Sequence, residues 1–147
     1  MAYHRGMSTA SATASPLLQS ARDALLRLLP DIEALYAFGS RARDDARADS
    51  DLDLAVLGAT PLAPLRRFET QRELSALLGC DVDLVDLYTA NSVLRSEAVT
   101  QGLPLFKRDA DRVLDFEARV LGDYAALLDA TRALREGIRE RGTVYAR

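Results

Sequence analysis

The sequence is poor in the residues that several common chemistries need. It has one cysteine, Cys80, and one histidine, His4, so an internal disulfide is impossible and a Cys/His zinc site has no ligand set. No run approaches the roughly 18 apolar residues of a membrane span. The first sixteen residues, MAYHRGMSTASATASP, lack the apolar centre of a signal peptide. These shortages predict a cytoplasmic protein without a membrane segment, in which residues 1–16 form a flexible leader and Met7 is an alternative start. A large charge of either sign is missing too. The 19 basic and 22 acidic residues leave a formal charge of -3, and no broad cationic surface offers itself to a polynucleotide, which disfavours nucleic acid as a direct substrate.

What remains is ordinary material for a folded domain. A chain of 147 residues, 48% hydrophobic and 28% charged, can bury a proper core. Helical and strand patterns alternate along it. Leu18, Ala21, Leu25, Leu28 and Leu29 recur at helical spacing between Pro16 and Leu29, and Pro30 closes the segment. ALYAF (34–38) reads as a buried strand ending at Gly39, and DLDLAVL (51–57) alternates as a second strand. Thr60 as cap and Pro61 at the first helical position predict a helix to Leu78, stopped by Gly79. DVDLVDL (81–87) is a third strand. A helix from Asn91 or Ser92 to Gln101 ends at Gly102, and LPLF (103–106) is an edge strand because Pro104 has no N–H to donate. The rest is one long helix. The pattern is one of helices and strands alternating along one domain, with no linker long enough to divide it.

One stretch carries specific chemistry: GSRARDDARADSDLD, residues 39–53. Residues two apart on a strand share a face, so Asp51 and Asp53 project together while Leu52, Leu54 and Val56 point into the core. Parallel carboxylates repel unless a cation lies between them, and an all-oxygen ligand set completed by substrate phosphates suits magnesium. Gly39 and Ser40, ending the neighbouring strand, allow close backbone approach and offer a hydroxyl to a phosphate, with Arg41 and Arg43 adding positive charge. Asp83 on the third strand is the candidate third carboxylate. Asp81 shares its face but sits where the strand begins, and Asp86 faces the other side. Alone, an Asp-x-Asp pair is commonly a turn or a solvated rim. The combination at a fixed gap makes a two-metal site the better reading.

This arrangement resembles the signature of the polymerase beta-like nucleotidyltransferases. The compact context AFGSRARDDARADSDLDLAVL is similar to the minimal nucleotidyltransferases, the MNT partners in HEPN/MNT toxin–antitoxin pairs. The resemblance covers residues 17–108 as a nucleotidyltransferase domain, leaving 109–147 as a C-terminal helix that packs on the domain or on a partner. It implies an α+β (α/β) fold, a small mixed β-sheet flanked by helices, with ATP as substrate, two Mg2+ ions held by Asp51, Asp53 and Asp83, and a triphosphate held at Gly39, Ser40, Arg41 and Arg43. It further implies transfer of AMP to a tyrosine hydroxyl of a HEPN RNase toxin, as in a type VII-like antitoxin. Two positions depart from the family pattern: Asp44, where glycine is usual, and Ala48, where proline is frequent; neither removes an implied ligand, but an inward Asp44 would weaken triphosphate binding.

Two other functions fit the same residues. One is an antitoxin that acts by occlusion with an idle acidic triad, and the other is a small-molecule nucleotidyltransferase of the aminoglycoside type, for whose sugar pocket this chain has little room. The final segment leaves a further choice open. Val113, Phe116, Val120, Tyr124, Leu127, Thr131, Leu134 and Ile138 form one stripe at spacings of three and four. Either the whole stripe packs on its own domain, or the part beyond about Leu128 extends off the body to grip a helical partner.

Overall fold

The computed structural model describes residues 14–40 and 50–142. Ser15 opens the first helix, α1 (Pro16–Leu28), its hydroxyl accepting the backbone N–H of Leu18 at 3.3 Å while Pro16 occupies the first turn, where a missing N–H costs nothing. Strand β1 (Ala34–Phe38) follows, then β2 (Leu52–Leu57), helix α2 (Pro64–Leu78), β3 (Val82–Asp86), helix α3 (Ser92–Gln101), β4 (Leu103–Lys107) and helix α4 (Ala110–Arg141).

Among the described residues the sheet is four-stranded in the order β3-β2-β1-β4. β1 is antiparallel to both β2 and β4, and β2 is parallel to β3, so the sheet is mixed as expected. β4 lies at the edge, where Pro104 is tolerated, and the register between β1 and β4 slips at Leu35/Tyr36 beside it.

The sheet is covered on both faces. Leu35, Leu54 and Leu84 meet Leu25 of α1 and Leu74 of α2 on one side. Tyr36, Ala55 and Leu57 meet Ala98 of α3 and Val113 and Phe116 of α4 on the other. Each fully buried leucine contributes about 2 kcal/mol of transfer free energy. These double-sided strands explain why β1 reads as an unbroken apolar run.

One expectation needs correction. Helix α2 starts at Pro64, not at Pro61. Ala63 is held at φ -58 and ψ 136, the extended region that a following proline imposes, so the helix cannot begin before it. The segment ahead is instead tied to the sheet, with Leu62 N–H donating to Asp86 Oδ2 at 2.9 Å. Gly102 does end α3, but at φ -76 rather than in the left-handed region. A Cβ there would collide with Ala98 O and approach Ala37 O at 3.2 Å, so close backbone approach is what requires glycine. Of the two readings of the α4 stripe, burial favours the one in which its distal part leaves the body. Val113, Phe116 and Val120 are buried, whereas Leu127 is 41% and Leu134 61% exposed. Most of the leader, Asp44 and Ala48 fall outside the described residues.

Candidate active site

The end of β1 and the starts of β2 and β3 lie at one edge of the sheet, and the sequence motif is distributed over that edge. Asp53 pairs in register with Phe38 of β1 on one side and with Asp83 of β3 on the other. Register partners in a parallel pair lie about 4.8 Å apart and share a face. The two carboxylates are therefore neighbours. Asp51 sits just ahead of β2, exposed, as is Asp83, while Asp53 is half-buried.

Gly39 closes the site from above. Its φ is +76, a conformation that side chains disfavour, and a Cβ built on it would overlap Asp53 Oδ2. Glycine is needed there twice, for the turn and for the approach of β1's end to the carboxylate. Ser40 follows, half-buried. Arg41 and Arg43 lie outside the described residues.

The electrostatics of this edge are unbalanced. Burial first, then the negative charges of Asp83, Asp51 and Glu97, push the Asp53 carboxyl above the usual carboxylate range. No ion pair within the described residues offsets Asp51, Asp53 or Asp83. A magnesium ion fits this donor set, which offers hard oxygen ligands and crowded like charges. No group of three or more His, Cys, Asp or Glu among the described residues is gathered tightly enough to hold an ion unaided. That agrees with magnesium's habit of taking one or two carboxylates and filling the rest of its sphere from water and substrate phosphates.

Glu97 is the residue that sequence reasoning missed. It is exposed on α3, whose C-terminal end is brought beside Ala37 by the tight passage at Gly102, and it adds a third negative charge to the field at Asp53. An exposed glutamate on a helix gives no sequence signal; only the docking of α3 brings it there.

A second polar cluster fixes α4 to the same sheet face. Tyr36 donates its hydroxyl to Glu117 at 2.7 Å, and Lys107 Nζ pairs with the same carboxylate at 3.1 Å. Burial, then the hydrogen bond to Glu117 and its charge, drive the Tyr36 hydroxyl far above the phenol range, so it acts as a fixed neutral donor. Concavities of about 390 and 490 Å³ both reach Gly58, at the opposite end of β2, away from these carboxylates. The site is recognised by its charges and by the Gly39 approach, not by cavity size.

Comparison with known proteins points the same way. The family described as Polymerase beta, Nucleotidyltransferase matches residues 23–111. Protein adenylyltransferase MntA of Shewanella oneidensis is 34% identical over 110 residues, 75% of this chain and 78% of that protein. Among solved structures, a toxin–antitoxin with AMP-PNP superposes with a TM-score of 0.72 at 34% identity, covering 82% of this chain and 98% of the other. A tri-AMPylated Shewanella oneidensis HEPN toxin in complex with MNT antitoxin is also similar, with a TM-score of 0.66 and 32% identity, over 83% of this chain and 98% of the matched one.

Proposed function

Because this chain belongs to the polymerase beta nucleotidyltransferase family, we propose that it is an antitoxin that transfers AMP from ATP to a tyrosine hydroxyl of a cognate HEPN toxin in the cytoplasm. The observation that carries the chemistry is the Asp53–Asp83 pair, in register on neighbouring strands, overhung by Gly39 and without an ion pair among the described residues. The acceptor class is supported by the similarity to protein adenylyltransferase MntA and to a complex that contains an AMPylated toxin.

In this reading Gly39 and Ser40 hold triphosphate oxygens through backbone N–H groups and the serine hydroxyl, and Arg41 and Arg43 contribute positive charge. Asp51, Asp53 and Asp83 are the ligands for magnesium, which when bound supplies charge neutralisation at the phosphates and at the attacking oxygen. The acceptor oxygen forms a bond to the α-phosphorus, the bond from that phosphorus to the β-phosphate oxygen breaks, and pyrophosphate leaves. The hydroxyl proton passes to a carboxylate oxygen of Asp83, the most exposed flank of the pair. The rate then depends on positioning and electrostatics, not on covalent catalysis by the protein.

Co-expression in cells separates this from occlusion. The double variant Asp51→Ala/Asp53→Ala should still fold and bind the toxin yet lose protection. Full protection by the double variant would rule out modification as the neutralising step.

A further inference from the structure

Helix α4 runs alongside β1 in the same direction. Near its start Arg112 pairs with Glu33 just before β1 (3.6 Å), and one turn later Glu117 receives the Tyr36 hydroxyl from mid-strand. From Tyr36 to Gly39 the strand advances roughly 10 Å. The helix covers that in about seven residues, which brings it level with Gly39 near Tyr124. Burial obeys the same geometry: Val120 is buried, Tyr124 half-buried, and Leu127 and Leu134 stand exposed. The remainder of α4, about 25 Å long, therefore leaves the body at the catalytic end of the sheet.

That bare segment has an ordered surface. At 100° per residue, Leu127, Thr131, Leu134 and Ile138 continue the face that Val113, Phe116 and Val120 bury. One flank of this stripe carries Leu128 with Arg132, Arg135 and Arg139, which with Thr131 and Glu136 line a shallow groove of about 360 Å³. The other flank carries Ala126, Ala130, Ala133 and Gly137, with the Arg141 side chain lying over Gly137. The acidic residues Asp129 and Glu140 turn further to the back of the helix, where Asp129 pairs with Arg132 at 3.4 Å.

We propose that the distal half of α4, from about Tyr124 to Arg141, is the docking arm for the protein acceptor, and that it takes an amphipathic helix whose apolar stripe is edged by acidic side chains. This rests on the adenylyltransferase reading above. The charge pattern selects against a second copy of this chain. The flank is net positive, its three arginines outnumbering Glu136, so a two-fold antiparallel pairing sets like charge against like charge, and a parallel pairing sets it against alanines and Arg141, which supply no acid. A partner with an acidic edge neutralises the arginine flank and seats close against the alanine flank. Its position also explains a preference for protein over small acceptors, since whatever binds the arm is held beside Asp53 and Asp83.

The test uses the full-length protein and its cognate HEPN partner. The variants are Leu127→Asp/Leu134→Asp and Arg135→Glu/Arg139→Glu, with partner affinity measured by calorimetry and AMP transfer by intact mass. Each arm variant should weaken partner binding by on the order of 30-fold or more and raise KM for the partner. The kcat at saturating partner should stay within about twofold, and the thermal shift produced by Mg-ATP should persist. Unchanged affinity and KM in both variants would overturn the proposal. So would a wild-type protein that is dimeric alone in analytical ultracentrifugation and becomes monomeric in the arm variants while still binding the partner normally. The two readings fail separately: arm variants that lose a partner which the wild type binds but never modifies would uphold the arm and sink the adenylyltransferase assignment.

Discussion

Two carboxylates on neighbouring strands of this sheet live under opposite conditions. Asp86, at the end of β3, is more deeply buried, yet its oxygens accept the backbone N–H groups of Leu62 and Tyr88, each at 2.9 Å. Asp53, near the start of β2, is less buried and faces Asp83, Asp51 and Glu97 instead. A carboxylate used for structure is given donors by its own chain. Asp53 has like charges for neighbours among the described residues, which fits a carboxylate kept for a ligand.

The contrast can be broken most severely at Asp53. Asp53→Asn should reduce AMP transfer by on the order of a thousandfold or more, measured as initial rate on the HEPN partner. It should not lower the melting temperature. The folded-state pKa of Asp53 lies above its unfolded value, so the metal-free fold is penalised at pH above that folded value, and the penalty disappears below the unfolded one. Next in size is the response to ligand. Mg-ATP at a hundred times its Kd should stabilise the wild type by about 2.7 kcal/mol, seen as a rise in Tm that Asp53→Asn loses; an equal rise in the variant would place the nucleotide elsewhere.

At Asp86 the effects should be reversed. Asp86→Ala strands two backbone N–H groups and should cost about 2 kcal/mol in denaturant unfolding, while transfer per folded molecule changes little. A large catalytic loss in well-folded Asp86→Ala would mean that Asp86 belongs to the site. Smallest is Tyr36→Phe, which removes one hydrogen bond to Glu117 and should cost about 1 kcal/mol, again by denaturant unfolding, because Lys107 still holds that carboxylate.

Much of this was legible from residue order alone. β1 matched its expected bounds, and β2 and β3 fell within one residue at either end, because strands buried on both faces leave dense apolar runs. The Gly39 and Asp53 halves of the motif met as anticipated, since an antiparallel β1–β2 pair must bring the end of one strand against the start of the other. The start of α2 was misplaced because two prolines competed, and the rule that decides between them acts on the residue before Pro64. The stripe of α4 was visible in full, but periodicity gives the face of a helix and not how far the body beneath it extends. Glu97 was invisible because its place at the site depends on how α3 docks.

The most direct measurement is the intact mass of the cognate HEPN protein after incubation with this chain, ATP and magnesium, with Asp53→Asn in parallel. The account predicts one or more AMP increments on a tyrosine with the wild type and none with the variant. A stable complex without any mass gain, or an equal gain with the variant, would contradict it.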